Sequence, residues 1–311
     1  MATREVSAPE RANIPKLRLK LNRESIAPYV MIAPAMVFLL IFTFYPMVNL
    51  IYLSFHDYNL VNPVKTFVGL QNYETLFFIK RDFLIALRNT AVYTISVVGL
   101  LIPLSLLFAL WFQADTRLNQ FAQTAVFTPH LIAMLSCSMI WSWIMDQNSY
   151  GLLNLVLGFF KIPPLRWLNS SDTAMLSVVI VSVWKSIGYY ALVILSALKS
   201  IPADIYEAAE LDNAPKVRTF FKITLPMLSP QLFFLLVVIT INSFKVFDTI
   251  RIMTNGGPGS STDVISYYIY RYAFQFFKIG YASAAGTVLM VILMIMTAVY
   301  FKVLSKKVHY Q

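Results

Sequence analysis

The chain has 311 residues, 58% of them hydrophobic and 13% charged, with a net charge of +10. Soluble domains run nearer a quarter charged, so the composition excludes an ordinary soluble enzyme and indicates a bilayer protein. The cations gather at segment ends and form no single basic face, which argues against nucleic acid as a partner.

Residues 1–25 mix charge with Ala and Pro and show no apolar periodicity, so they read as a cytoplasmic N-terminal tail. Six apolar stretches follow, at 27–55, 84–112, 122–144, 173–198, 228–252 and 282–304. Each is long enough to cross about 30 Å of hydrocarbon, which takes roughly 20 helical residues. The runs are continuous, without the alternation of a β-barrel. The expectation is an all-α, polytopic helical membrane protein with six transmembrane helices in one domain, 26–305, and a short tail at 306–311. Arg4, Arg11, Lys16, Arg18, Lys20 and Arg23 precede the first span. Lys199, Lys216, Arg218 and Lys222 separate spans four and five, and Lys302, Lys306 and Lys307 close the last. With six spans these all fall on one side, so both termini and the 199–228 loop are expected in the cytoplasm. The N-terminal segment is too polar for a cleaved signal, and the first span reads as a retained anchor.

Span one holds Pro28, Pro34 and Pro46, tolerated in a membrane helix because neighbours satisfy the freed carbonyls. Gly69-Leu70-Gln71-Asn72-Tyr73 lies beyond it. Cys137, inside span three, is the one cysteine and has no intrachain disulfide partner. Residues 151–160 are apolar but too few to cross, and are expected along the interface.

Charges within a bilayer are expensive and usually face a bundle interior or a wet cavity. Lys185 lies near the middle of span four, with Tyr189 and Tyr190 a turn further on. Span five carries Asn242, Ser243, Lys245 and Asp248. On one continuous helix Lys245 and Asp248 are three apart and can meet. These seven residues are expected to line a polar substrate cavity, with Lys185 or Lys245 neutralised by Asp248. Aromatic faces beside amides and hydroxyls suit a neutral polyol or sugar.

Between spans four and five runs a polar, amphipathic segment, Glu207-Ala208-Ala209, continuing through Asp212 and Asn213 to Ile223-Thr224-Leu225-Pro226. Pro202 and Asp204 suit a helix start. Ile205, Ala208, Ala209 and Asp212 then share helical spacing, and small residues there let another protein come close. Pro215 opens a second short helix. Asn213 stands at a bend, and after Gly it is the residue that best tolerates left-handed backbone. Beyond span five, Thr254-Asn255-Gly256-Gly257-Pro258 makes a turn. No GKS or GKT follows any glycine cluster, so the chain has no ATP site of its own. Gly280-Tyr281-Ala282-Ser283-Ala284 opens span six, where Ala282, Ala285 and Gly286 form a small-residue packing face. His56, His130 and His309 sit in separate contexts, no grouping has metal-ligand spacing, and nothing pairs a nucleophile with a base.

The 207–226 pattern resembles the coupling loop of binding-protein-dependent ABC importers, with Asn213 where that family usually has glycine. Residues 69–73, 254–258 and 280–284 are similar to segments of its carbohydrate, maltose-transporter-type permeases. The resemblance covers roughly residues 25–305. It implies a type I importer permease fold in a bacterial or archaeal cytoplasmic membrane, in contact with lipid. It also implies a second homologous permease, two ABC ATPase subunits carrying ATP and Mg, and an extracytoplasmic solute-binding protein. Glu207, Ala208, Ala209, Asp212, Asn213, Ile223, Leu225 and Pro226 would then contact an ATPase, and the solute would be a sugar or oligosaccharide. An importer of the same design for glycerol phosphate or an acidic saccharide fits surplus cavity lysines. An ion-coupled secondary transporter needs no docking loop and usually shows repeated spans, which this chain does not.

Overall fold

The computed structural model describes residues 23–61 and 64–303. The tails, with Lys306, Lys307 and His309, lie outside those residues except for 23–25. Contacts divide the chain into two compact units, Met1–Asn49 and Leu50–Gln311. In the first unit, α1 (Arg23–Leu39) passes into a π-helical turn, Leu40–Phe44. Pro46, which lacks an N–H for the preceding turn, follows directly, and π turns and prolines are the usual causes of such irregularity.

Helix α2 (Tyr45–Ser54) leads to a small antiparallel hairpin, β1 (His56–Asp57) with β2 (Thr66–Phe67), in which His56 faces Phe67. The 69–73 segment then latches this hairpin to the end of α2. Gly69 takes a left-handed φ of +56°, which a side chain would resist. In α3 (Gln71–Glu74), Asn72 Nδ2 donates to the Ser54 and His56 carbonyls at 2.9 and 3.0 Å. The Tyr73 hydroxyl donates to Ser54 Oγ at 2.7 Å. Asn72→Ala removes two such bonds at about 1 kcal/mol each. The expected outcome is faster hydrogen exchange across residues 55–68 with the spans still protected; unchanged exchange there would refute the latch.

Among the described residues five helical stretches are long and apolar enough to cross a membrane: Pro28–Ser54, Asp82–Trp111, Ala174–Lys199, Ser229–Met253 and Ile279–Lys302. The expected third span is not one straight helix. Helices α4 (Asp82–Trp111), α5 (Arg117–Leu131) and α6 (Met134–Ile144) follow in order, and the α5–α6 pair, a sixth span if taken together, is bent by 101°. Ile132 and Ala133 are extended at the break, with ψ of 137° and 136°. Thr116 caps α5, its side chain accepting the Asn119 N–H. Asn119 Nδ2 in turn donates to the Trp111 and Ala114 carbonyls at 3.0 and 2.8 Å, closing the end of α4.

The short apolar stretch at 151–160 forms α7 (Leu152–Phe159). It is anchored by buried Asn154, which accepts from Leu165 N and Trp167 Nε1 at 3.0 and 2.9 Å. Helix α8 (Ala174–Lys199) packs along α4, with α5 on another side. The polar link holds α9 (Ala203–Leu211), α10 (Lys216–Thr219), a π turn at Phe220–Thr224 and α11 (Leu225–Met227). Span five is α12 (Ser229–Phe244) followed, after three non-helical residues, by α13 (Asp248–Met253). Then come α14 (Ile265–Tyr270) and α15 (Ile279–Val303).

Tyr93, Val97 and Leu101 from α4 meet Val183, Ile187 and Ile194 from α8 and Leu235 and Ile239 from α12 in the main core. Other apolar side chains, Ile95 and Leu107 on α4 and Met294 and Ile295 on α15, are exposed. A helix apolar on all sides is expected of a membrane span, whose outward face meets lipid. The Thr254–Val264 loop is tied down rather than open. Asn89 on α4 donates to the Ser260 and Asp263 carbonyls at 2.8 and 3.0 Å, and the Thr262 hydroxyl lies 2.7 Å from Gly257 O. Asp263 receives Arg271 at 2.6 Å, and burial pushes its carboxyl up to about 6 against the pull of that arginine.

Candidate functional site

Two features bear on function: a surface groove on the α9–α11 link and a polar cavity among α4, α8 and span five. The groove arises because α9 ends in a tight reversal. Asn213 takes φ +51°, the Ala214 N–H returns to Ala209 O at 3.0 Å, and the Asn213 N–H returns to Glu210 O at 2.9 Å. That is the Schellman pattern, which satisfies carbonyls left over at a helix end. It requires left-handed backbone that most side chains adopt at a cost of about 1–2 kcal/mol. Asn213→Gly is expected to be neutral within a few tenths of a kcal/mol, and Asn213→Val to cost the full amount. Equal thermal midpoints for the two variants would contradict that account.

The reversal folds the return segment against α9, and the Tyr206 hydroxyl lies 3.1 Å from Thr224 Oγ1 across it. Between the two arms is a groove of about 560 Å³ lined by Asp204, Ile205, Ala208, Ala209, Asp212, Arg218, Lys222 and Ile223. Ala208 is exposed, while Ala209 is buried at the groove floor, so the two alanines share a lining but not an environment. Glu207 is exposed and absent from the lining. Leu225 and Pro226 are half-buried in the return to α12. Leu211, Val217 and Phe221 stand 84, 70 and 61% exposed around the groove. Small residues at the base, both charge signs on the walls and large apolar groups outside make a surface suited to receiving a protein.

The cavity, about 210 Å³, is lined by Tyr190, Asn242, Ser243, Lys245 and Asp248 among the expected residues. It is below the ~300–1,000 Å³ of ordinary small-molecule pockets. Lys185 and Tyr189 are not in that lining. Lys185 is buried and turned the other way, with Nζ donating to the His130 carbonyl at 3.0 Å. The α5–α6 break frees that carbonyl, and an ammonium from the next helix satisfies it. Tyr189 stacks on the His130 ring at 4.5 Å and 9°.

The expected Lys245–Asp248 helical pair is also absent. Helix α12 stops at Phe244, so the two are not on one continuous helix, and neither forms an ion pair among the described residues. Asp248 therefore neutralises neither Lys185 nor Lys245 by direct contact. The structure adds residues that sequence reasoning did not single out: Tyr93, Ser182, Ser186 and Thr249. The Tyr93 hydroxyl donates to Ser182 Oγ at 2.8 Å. Thr249 Oγ1 is buried with no hydrogen-bond partner among the described residues, and a buried hydroxyl in that state calls for an explanation.

Residues 86–310 match the family model described as binding-protein-dependent transport system inner membrane component. The chain is 35% identical over 285 residues to the probable ABC transporter permease protein YurN of Bacillus subtilis (strain 168), covering 90% of this chain and 97% of that one. It is 32% identical over 279 residues to the sulfoquinovosyl glycerol transport system permease protein SmoG of Agrobacterium fabrum, covering 89% and 90%. A solved bacterial ABC transporter involved in import of the acidic polysaccharide alginate superposes with a TM-score of 0.78 at 26% identity, over 90% of this chain and 98% of that one.

Proposed function

The chain belongs to the binding-protein-dependent transport system inner membrane component family, and from that premise we propose that it is the permease subunit of an ATP-driven importer for a sugar or oligosaccharide. The solute arrives from an extracytoplasmic binding protein, crosses between this chain and a second homologous permease, and is driven by two ATPase subunits. ATP and Mg are handled on those subunits, and this chain performs no chemistry. The observation that carries the reading is the α9–α10 groove. Helix α9, one arm of the groove, is joined by three residues, 200–202, to the end of α8, whose middle lines the cavity.

In this reading an ATPase seats in the groove against Ala208, Ala209 and Ile223, with Glu207 and Asp212 offering acceptors at its edge. Asn213 holds the bend, and Leu225 and Pro226 set the return to α12. Closure of the ATPases pushes α9, α8 moves as one piece, and the cavity changes access without a covalent step. Within the cavity one lysine, Lys245, is matched in number by one carboxylate, Asp248, among hydroxyls, an amide and aromatic rings. That balance supports an uncharged saccharide over a phosphate or uronate, because the second expected lysine, Lys185, is engaged elsewhere.

Reconstitution tests the reading. Proteoliposomes holding the assembled complex, with ATP inside and loaded binding protein outside, are expected to accumulate a neutral oligosaccharide only when ATP is hydrolysed. Accumulation driven by an ion gradient without ATP would overturn it.

A further inference from the structure

The C-terminus of α4 lies beside that of α8, where Lys199 meets Asp115 at 3.1 Å, so the start of α4 is at the end of the bundle away from the groove. There, where α4 and α15 begin, a cleft of about 540 Å³ is lined by Lys80, Arg271 and Lys278 against a single carboxylate, Asp82. Lys80 and Lys278 make no ion pair among the described residues. Lys80 instead sits 5.2 Å from the Tyr272 ring and 5.5 Å from the Tyr281 ring, a modest use for an ammonium near water. Arg271 spends one nitrogen on Asp263, while its Nε is buried without a hydrogen-bond partner among the described residues. Cations ordinarily collect on one side of a membrane, and this cluster lies opposite the basic 199–222 segment, so topology alone does not call for it.

The rim explains the cluster. Phe276 lines the cleft and is 52% exposed, and Phe78, Ile79 and Phe277, which precede the lining residues Lys80 and Lys278 in the chain, are 85, 67 and 44% exposed. Phe277 holds a φ of +57°, a backbone state that costs a residue other than glycine energy and marks functional clamps. Cations beside exposed aromatic rings at the ends of two spans have the composition of the layer where hydrocarbon meets headgroups. A site for a free anion would need the cations but not the apolar rim.

We infer that this cleft binds the phosphate headgroup of an anionic phospholipid in the leaflet opposite the α9–α10 groove. Lys80 and Lys278 hold the phosphate oxygens, and the phenylalanines lie against the acyl chains. The inference rests on the chain spanning a membrane and not on which solute it carries.

The full chain, purified with its accompanying subunits and placed in nanodiscs of phosphatidylcholine with or without phosphatidylglycerol, tests it by native mass spectrometry and thermal melting. The wild type is expected to retain phosphatidylglycerol and melt several degrees higher in its presence. Lys80→Gln with Lys278→Gln should weaken that retention by about thirtyfold, the effect of removing two lysines from an anionic surface. Lys161→Gln, which removes an exposed lysine on a separate loop, should leave it unchanged. Lys80→Arg with Lys278→Arg should restore it, which separates charge from folding. Equal retention by the wild type and the double glutamine variant would overturn the site. An equal thermal shift from inorganic phosphate alone in detergent would overturn the lipid assignment.

Discussion

Gly188→Leu is expected to leave almost no folded protein in the membrane, and Gly188→Ala to lower stability by about 1–3 kcal/mol. A Cβ on Gly188 would lie 2.1 Å from the Val126 carbonyl oxygen, 2.5 Å from its carbon and 2.7 Å from Phe127 N. All three are backbone atoms, so no rotamer change relieves the contact, and α5 and α8 must part. The sign is not trivial, because alanine is the better helix former by roughly 1 kcal/mol where nothing interferes. Gly99, in α4, meets nothing within 4 Å and supplies the control: Gly99→Ala should be neutral or stabilising. Small residues are how membrane helices approach this closely. The approach also has a functional consequence, because Lys185 bonds to His130 O one turn before Gly188 on the same α5–α8 seam. In the proposed mechanism a push delivered to the end of α8 is passed along this seam to the bent α5–α6 pair. Thermal melting in detergent and the amount of protein in isolated membranes measure both outcomes, and a Gly188→Ala variant as stable as Gly99→Ala would show that the seam is not as drawn.

Ala208→Trp is expected to leave the membrane protein folded and to abolish its hold on an ATPase. Ala208 is exposed, so the indole meets solvent instead of core, and the stability change should stay within about 0.5 kcal/mol. The same indole projects into the groove of about 560 Å³ that the proposed function assigns to the ATPase and obstructs it. Interface losses of this kind reach several kcal/mol when a central contact is blocked, which is a hundredfold or more in affinity. Ala203→Trp, on the same helix but outside the groove lining, should keep the subunit bound. Retained, substrate-stimulated ATP hydrolysis with Ala208→Trp would remove the groove from the mechanism.

Much of this architecture is legible in the residues because hydropathy and turn chemistry are local. Five of the six apolar runs correspond to spanning helical stretches, the 151–160 stretch is a short helix, and Asn213 sits at a left-handed bend. What escapes is set by atoms far apart in the chain. Span three reads as one apolar run, yet Ile132 and Ala133 are extended, and hydropathy is blind to backbone dihedrals. Lys185 reads as a cavity charge because sequence names side chains, whereas its partner is a carbonyl 55 residues away, which has no sequence signature. The break at Lys245–Phe247 likewise separates Lys245 from Asp248, which an uninterrupted helix would bring together. Tyr93, Ser182 and Thr249 join the cavity from three different elements, and each taken singly is an ordinary span residue. The glycine-rich stretch at 254–258 is a turn, closed by the Thr262 hydroxyl on Gly257 O and Thr254 Oγ1.

The measurement closest to the central claim is an affinity purification of this chain from gently solubilised native membranes, with the co-purifying proteins identified by mass spectrometry. The account predicts recovery of a second permease and an ABC ATPase, with the ATPase lost from Ala208→Trp and kept by Ala203→Trp. Recovery of this chain without an ATPase, in detergent that preserves comparable complexes, would contradict it.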